Sequence, residues 1–213
     1  LTLFVGEIGT LVLFGLLSFL ALREFVTITR TRRADHRTLF WAFFVFTPYQ
    51  YYLIGRHWYG LFAILIPVYA LLFVAARLAV AGDTERYLER AADTHLGLML
   101  CAYCVSHAPA LLILKIPGYE GRNATLLVFL VIVAQLSDVL QYVWGKLFGR
   151  HRIAPTVSPN KTVEGFVGGV ATAVLIGTGL WWATPFTPLQ AAGMSLLIAL
   201  MGFFGGLVMS AIK

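Results

Sequence analysis

Charge is what this chain has least of: 12% of its 213 residues are Asp, Glu, Lys or Arg, about half the roughly 25% of a soluble globular domain. Set against 59% hydrophobic residues, that scarcity excludes both an ordinary cytosolic domain and a disordered chain. Strict apolar/polar alternation is also missing, which argues against an outer-membrane barrel. The two cysteines, Cys101 and Cys104, lie inside an apolar run with no second C-x-x-C pair or His cluster to complete a zinc site. Packing is therefore their favoured reading, and they do not report a redox compartment. No G-x-x-x-x-G-K-[ST] loop, G-x-G-x-x-G turn or H-E-x-x-H helix is present, and no 20 to 50 residue repeat or low-complexity tract is visible. A cleavable signal pattern is lacking too. The chain opens Leu1-Thr2-Leu3 and stops at Lys213 without a polar tail, which is the expectation for part of a longer protein.

What the chain does have is continuous apolar runs near the ~18 to 20 residues that cross a hydrocarbon core. They predict an all-α polytopic transmembrane bundle with about seven spans, forming a single integral membrane domain over residues 1–213. The spans are roughly Leu3 to Leu22, Leu39 to Gly55, Gly60 to Ala81, Gly97 to Ile116, Thr125 to Trp144, Gly165 to Ala183 and Leu189 to Ile212. The second is short and carries Pro48, so a tilted or interfacial segment is an alternative. A basic loop (Arg23 to Thr38), a charged amphipathic stretch (Gly82 to His95) and a polar loop (Gly145 to Glu164) separate them. With the first loop in the cytoplasm, thirteen of the sixteen Lys and Arg residues share that side, and only Arg56, Lys115 and Arg122 face the other. The net charge of +6 then reflects topology and anionic headgroups. Nucleic-acid binding would want a soluble basic domain, and there is none.

Asp138 is the most informative residue, because a carboxylate within an apolar helix costs at least ~2.5 to 3.5 kcal/mol unless it faces a wet or metal-bearing cavity. Gln135, Asp138, Gln141, Tyr142 and Gly145 recur at helical spacing and form a polar stripe along the fifth span. An interhelical hydrogen-bond network would also explain the stripe. Next come Lys146, Arg150, Arg152 and Lys161, with Ser158, Asn160 and Thr162 as hydroxyl and amide groups. Cations beside an acid suit a phosphorylated substrate, since Lys and Arg neutralise phosphate oxygens and a carboxylate can hold a divalent metal. Ser158, Asn160 and Thr162 are expected to present donors at the start of the sixth helix, where an anion is favoured. A solvated positive-inside loop is the competing reading. Gly165-x-x-x-Gly169 and Gly202-x-x-x-Gly206 read as close helix packing rather than phosphate loops, and Ser106 with His107 as a satisfied intramembrane polar pair.

Ser137-Asp138, Gln141-Tyr142, Gly145 to Arg150 and above all Val157-Ser158-Pro159-Asn160-Lys161-Thr162-Val163-Glu164-Gly165-Phe166-Val167-Gly168-Gly169 resemble the phosphatidate cytidylyltransferase (CDP-diacylglycerol synthase) family. The ending, Leu207 to Lys213, is similar to the opening of that family's S-x-x-K signature, and the resemblance is clear over residues 136–213. It implies an enzyme of the bacterial-type inner membrane, active on its cytoplasmic face, that joins CTP and phosphatidic acid to give CDP-diacylglycerol and pyrophosphate. The implied cofactor is Mg²⁺, alone or with a monovalent cation. Carried over by position, Asp138, Lys161, Ser210 and Lys213 are the catalytic candidates, with Asp138 also the metal ligand. Gln141, Lys146, Arg150, Arg152, Ser158, Asn160, Thr162 and Glu164 are the substrate-binding candidates. A small-residue face also fits a homodimer.

Two departures accompany the resemblance. The family usually carries Gly-Asp-Leu ahead of the signature Ser, whereas this chain has Gly205-Gly206-Leu207. The remaining signature elements would follow Lys213, so the 213 residues alone are expected to be inactive or very weak. The alternatives are a noncatalytic homologue or lipid-binding scaffold, which would show no magnesium-dependent CTP binding, and an ion-coupled transporter, which would move solute without any nucleotide effect.

Overall fold

The computed structural model describes residues 2–29 and 35–212, with side chains from Gly6 onward. Arg30, Arg32 and Arg33 of the basic loop, and the candidate Lys213, lie outside the described residues. The protein is almost entirely helical, as a chain must be where lipid offers its backbone no hydrogen bonds. Among the described residues, five helices are long and apolar enough to cross a membrane: Gly6–Ile28, Tyr59–Val80, Tyr87–Ile113, Asn123–Phe148 and Pro188–Ile212. Two of the seven expected spans are not in that set. One is the segment around Pro48, and the other is Val163–Gly179, which at 17 residues is shorter than the rest.

The chain packs as two compact units, Leu1–Leu114 and Lys115–Lys213. The first contains α1 (Thr2–Ile28), α2 (His36–Trp41), α3 (Thr47–Gly55), α4 (Tyr59–Ile64), α5 (Leu71–Val80), α6 (Tyr87–Leu98) and α7 (Val105–Ala110). Three π-helical segments, Ala42–Phe46, Leu65–Ala70 and Met99–Cys104, join α2 to α3, α4 to α5 and α6 to α7. Pro67 lies in the second, and Pro48 follows the first by two residues. A proline lacks the N–H of the regular ladder and crowds the preceding turn, so the helix widens instead of breaking. The fourth span starts ten residues earlier than its hydropathy suggested. Part of the charged stretch after Gly82 is helical, stabilised by an Arg86–Glu89 pair and by Arg90.

The core of this unit is made by Leu22, Phe25, Leu53, Ile54, Phe62, Ile66, Val74, Leu78 and Leu98. Several of its polar groups are spent internally, whereas Gln50 Oε1 and His95 Nδ1 are buried without a hydrogen-bond partner. Ser18 and Tyr51 share a 2.6 Å hydrogen bond, and Gln50 Nε2 donates to the Phe62 carbonyl (3.2 Å) and to Ser106 Oγ (3.3 Å). Ser106 donates in turn to the Tyr103 carbonyl, to which His107 Nδ1 lies at 2.8 Å, in keeping with a satisfied polar pair. Arg90, 5% exposed, pairs with Asp35 (2.5 Å) and Asp83 (3.0 Å), joining the loop before α2 to the loop before α6.

The second unit contains α8 (Asn123–Phe148), β1 (Arg152–Ala154), β2 (Ser158–Thr162), α9 (Val163–Gly179) and α10 (Pro188–Ile212). The polar loop is therefore not irregular throughout: β1 and β2 pair antiparallel, Arg152 opposite Thr162 and Ala154 opposite Ser158, with a bulge between. Pro159 is tolerated because both strands are edges. Helices α8 and α9 touch backbone to backbone. A Cβ at Gly165 would lie 2.7 Å from the Gln141 carbonyl, and one at Gly169 would lie 2.5 Å from Gln141 N. Trp144 fills the notch left by Gly168 and donates to Thr172 Oγ1 (3.1 Å). A reciprocal capping box opens α10, with Thr187 N bonded to Gln190 Oε1 and Gln190 N to Thr187 Oγ1.

Candidate functional site

Where α8, β2, α9 and α10 converge, the second unit opens into a cavity of about 320 Å³. From α8 come Asp138, Gln141 and Tyr142, one turn apart and hence on one face. The hairpin contributes Ser158, Asn160, Lys161 and Thr162, while Phe166 on α9 and Phe203 and Gly206 on α10 close the far wall. Two structural decisions bring these groups together. The glycine contact of α8 with α9 fixes the height of the polar stripe, and the hairpin returns the chain so that β2 lies beside it.

Asp138 is exposed and lines this cavity. Its exposure is what an ionised group inside an apolar helix requires. Lys161 is half-buried at the opposite wall, and no ion pair joins the two. Burial pulls the Lys161 pKa below the ordinary lysine value, and the charge of Asp138 partly offsets the effect. A carboxylate and an ammonium thus line one open cavity without consuming each other. Gln141 Nε2 donates to Ser137 Oγ at 2.7 Å, which orients its amide. Thr162 is the N-cap of α9, its Oγ1 accepting from Gly165 N at 3.2 Å. Ser158 and Asn160 sit on β2 rather than at the helix start, so the expected row of donors at the sixth helix is replaced by a strand edge.

The other candidates lie apart from the cavity. Lys146 is exposed near the end of α8 with its ammonium 6.0 Å from the Tyr142 ring centroid, and Arg150 and Arg152 are exposed beside the hairpin. Glu164 is occupied as a clasp. Its carboxylate accepts the Arg150 N–H (3.0 Å), the His151 N–H (3.2 Å) and a 2.6 Å contact from His151 Nδ1. These bonds, the Arg150 amide first, push its pKa down to about 2. Ser210 turns its hydroxyl back onto the Gly206 carbonyl at 2.8 Å. Among the described residues no three His, Cys, Asp or Glu side chains converge as a metal cluster. Sequence reasoning did not place Phe166 and Phe203 in the wall. Their rings pack at 4.4 Å between centroids, and only the three-residue spacing of Phe203 from Gly206 hinted at a shared face.

The sequence profile described as the cytidylyltransferase family matches residues 1–213. The chain belongs to the cytidylyltransferase family. It is 38% identical over 208 residues, 96% of its length, to YnbB of Escherichia coli strain K12, a protein named as uncharacterized. It is 34% identical over 93 residues to a phosphatidate cytidylyltransferase of Chlamydia muridarum, covering 40% of this chain. A Staphylococcus aureus phosphatidate cytidylyltransferase is likewise 34% identical over 96 residues, 44% of this chain. The chain spans 66% of the length of YnbB, and the aligned parts are 30% and 36% of the two named enzymes.

Proposed function

We propose that the protein is a phosphatidate cytidylyltransferase, transferring CMP from CTP to phosphatidic acid. The observation that carries this reading is the single cavity lined by Asp138, Lys161 and the hydroxyl and amide groups of β2. In the reaction an oxygen of the lipid phosphate attacks the α-phosphorus of CTP, the bond from that phosphorus to the bridging oxygen breaks, and pyrophosphate leaves. Little acid–base chemistry is needed, so the protein's task is to position two anions and neutralise the leaving charge. Lys161 is assigned to the nucleotide phosphates, with Ser158, Asn160 and Thr162 donating alongside it. Tyr142, Phe166 and Phe203 line the same cavity and supply apolar surface beside the two charges.

A divalent cation fits the donors present. Mg²⁺ is commonly held by one or two carboxylates with substrate phosphates and water completing its shell, and Asp138 is the carboxylate in the cavity. Bound there, Mg²⁺ would neutralise phosphate oxygens. The uneven distribution of Lys and Arg supports an inner-membrane orientation with this cavity toward the cytoplasm, where CTP is available. A homodimer through exposed small residues of the spans is part of the same proposal.

The test is conversion of radiolabelled CTP to lipid-soluble product by the natural full-length protein with phosphatidate and Mg²⁺. Asp138→Asn is expected to lower the rate by about 10²- to 10³-fold, the scale of losing one preorganised electrostatic group. No lipid-soluble label from the folded parent would instead establish a noncatalytic homologue. Solute flux in proteoliposomes without nucleotide dependence would establish a transporter.

A further inference from the structure

Lys161 is held at the cavity wall by α10. Its Nζ donates to the Phe203 carbonyl at 3.2 Å and stands 4.4 Å from the Phe203 ring centroid. That ring is buried and pressed against Phe166, so its position is fixed by packing. One turn further on, Gly206 contributes space alone: a Cβ there would lie 2.7 Å from Lys161 Nζ and 3.8 Å from its Cε. At Gly202 and Gly205, on the same stretch of helix, an added Cβ would meet nothing within 4 Å. The missing side chain at 206 therefore has a specific neighbour, whereas those at 202 and 205 have none.

We propose that Phe203 and Gly206 are positioning residues for Lys161, together forming a socket on α10 that holds its ammonium in place before a phosphorylated substrate arrives. The ring face and the carbonyl attract the cation, and the gap at Gly206 admits it. A lysine on a free four-carbon stem loses rotamer freedom with every phosphate contact, and the socket removes part of that loss in advance. The inference rests on the reading of Lys161 as the group that meets the nucleotide phosphates.

The socket is tested without nucleotide, by NMR of the full-length protein labelled at lysine Cε, the Lys161 resonance being assigned with Lys161→Arg. Protons held over a ring face are displaced upfield, so the Lys161 Hε signal is expected well away from the free-lysine position. Phe203→Leu should return it there, and Gly206→Ala should remove at least half of the displacement. Gly202→Ala should leave it unchanged. Alanine favours a helix over glycine, so Gly206→Ala does not threaten folding through propensity. With CTP as the probe, Gly206→Ala should raise KM roughly two- to fivefold, the worth of an exposed cation–π contact, at little changed kcat. A free-lysine position in the parent, or a displacement that survives both Phe203→Leu and Gly206→Ala, overturns the socket. A displaced signal with KM unchanged in Gly206→Ala overturns the positioning role. Failure of the parent to convert CTP overturns the enzymatic reading, and the substrate-free spectra judge the socket independently of it.

Discussion

In Leu1–Leu114 the buried Arg90 pairs with Asp35 and Asp83, and the pocket that Arg90 lines with Asp35 and Asp93 holds about 10 Å³, room for roughly one water. In Lys115–Lys213, Asp138 and Lys161 face about 320 Å³ of open volume and form no pair with each other. The same residue types thus take opposite roles. A closed ion pair has exchanged its hydration for a partner and can offer nothing to a ligand, whereas an acid and a base held apart retain their attraction for one. This distinction, more than the number of charges, marks the second unit as the place to look for chemistry.

The comparison is broken most severely at Arg90. Arg90→Met removes the buried cation that Asp35 and Asp83 share and is expected to cost about 3 to 5 kcal/mol, read as a lowered thermal midpoint in detergent. Asp138→Asn should move stability by less than about 0.5 kcal/mol, since no partner loses a bond. Equal losses in the two variants would mean that Asp138 is a structural group after all.

A smaller effect separates the two glycine patterns. Gly169→Leu drives a side chain into Gln141, where even a Cβ lies 2.5 Å from the backbone, and should cost about 1 to 3 kcal/mol while displacing Asp138 from Lys161. Gly202→Ala should stay within about 0.5 kcal/mol, because its Cβ meets open space. Similar stabilities for these two would show that α8 and α9 are not in backbone contact.

The smallest effect is acid sensitivity of the hairpin. Glu164 has its pKa depressed to about 2, so its clasp is fully present above the ordinary carboxylate range and is lost as pH falls from there through about 2. Protection of the Arg150 and His151 amides from hydrogen exchange should weaken over that window in the parent. In Glu164→Gln it should be weaker throughout and nearly flat with pH. A flat profile in the parent would remove the carboxylate from the clasp.

Much of this was legible beforehand. Five of the seven expected spans followed from continuous apolar runs, because a backbone in hydrocarbon must bond to itself. The cavity-facing stripe followed from the spacing of Asp138, Gln141 and Tyr142, and the close crossing of α8 and α9 from Gly165 and Gly169. The hairpin was not legible. Ser158 to Thr162 is polar and contains proline, so it shows no period-two signal, and what fixes it is pairing with Arg152 and Ala154 together with the Glu164 clasp. For the same reason the loop cations could not be sorted by eye. Lys161 turns inward while Lys146, Arg150 and Arg152 face solvent, a choice made by strand pairing and by a neighbour on α10 some forty residues away.

The sequence by itself determined the helical membrane class, the family and the residues able to carry charge into the bundle, since these depend on composition, period and short motifs. Only the tertiary structure decided which charges are spent on each other and which remain for a ligand. That outcome depends on distances between segments remote in sequence: Asp35 and Asp83 close on Arg90, while Lys161 turns to the Phe203 carbonyl and ring on α10.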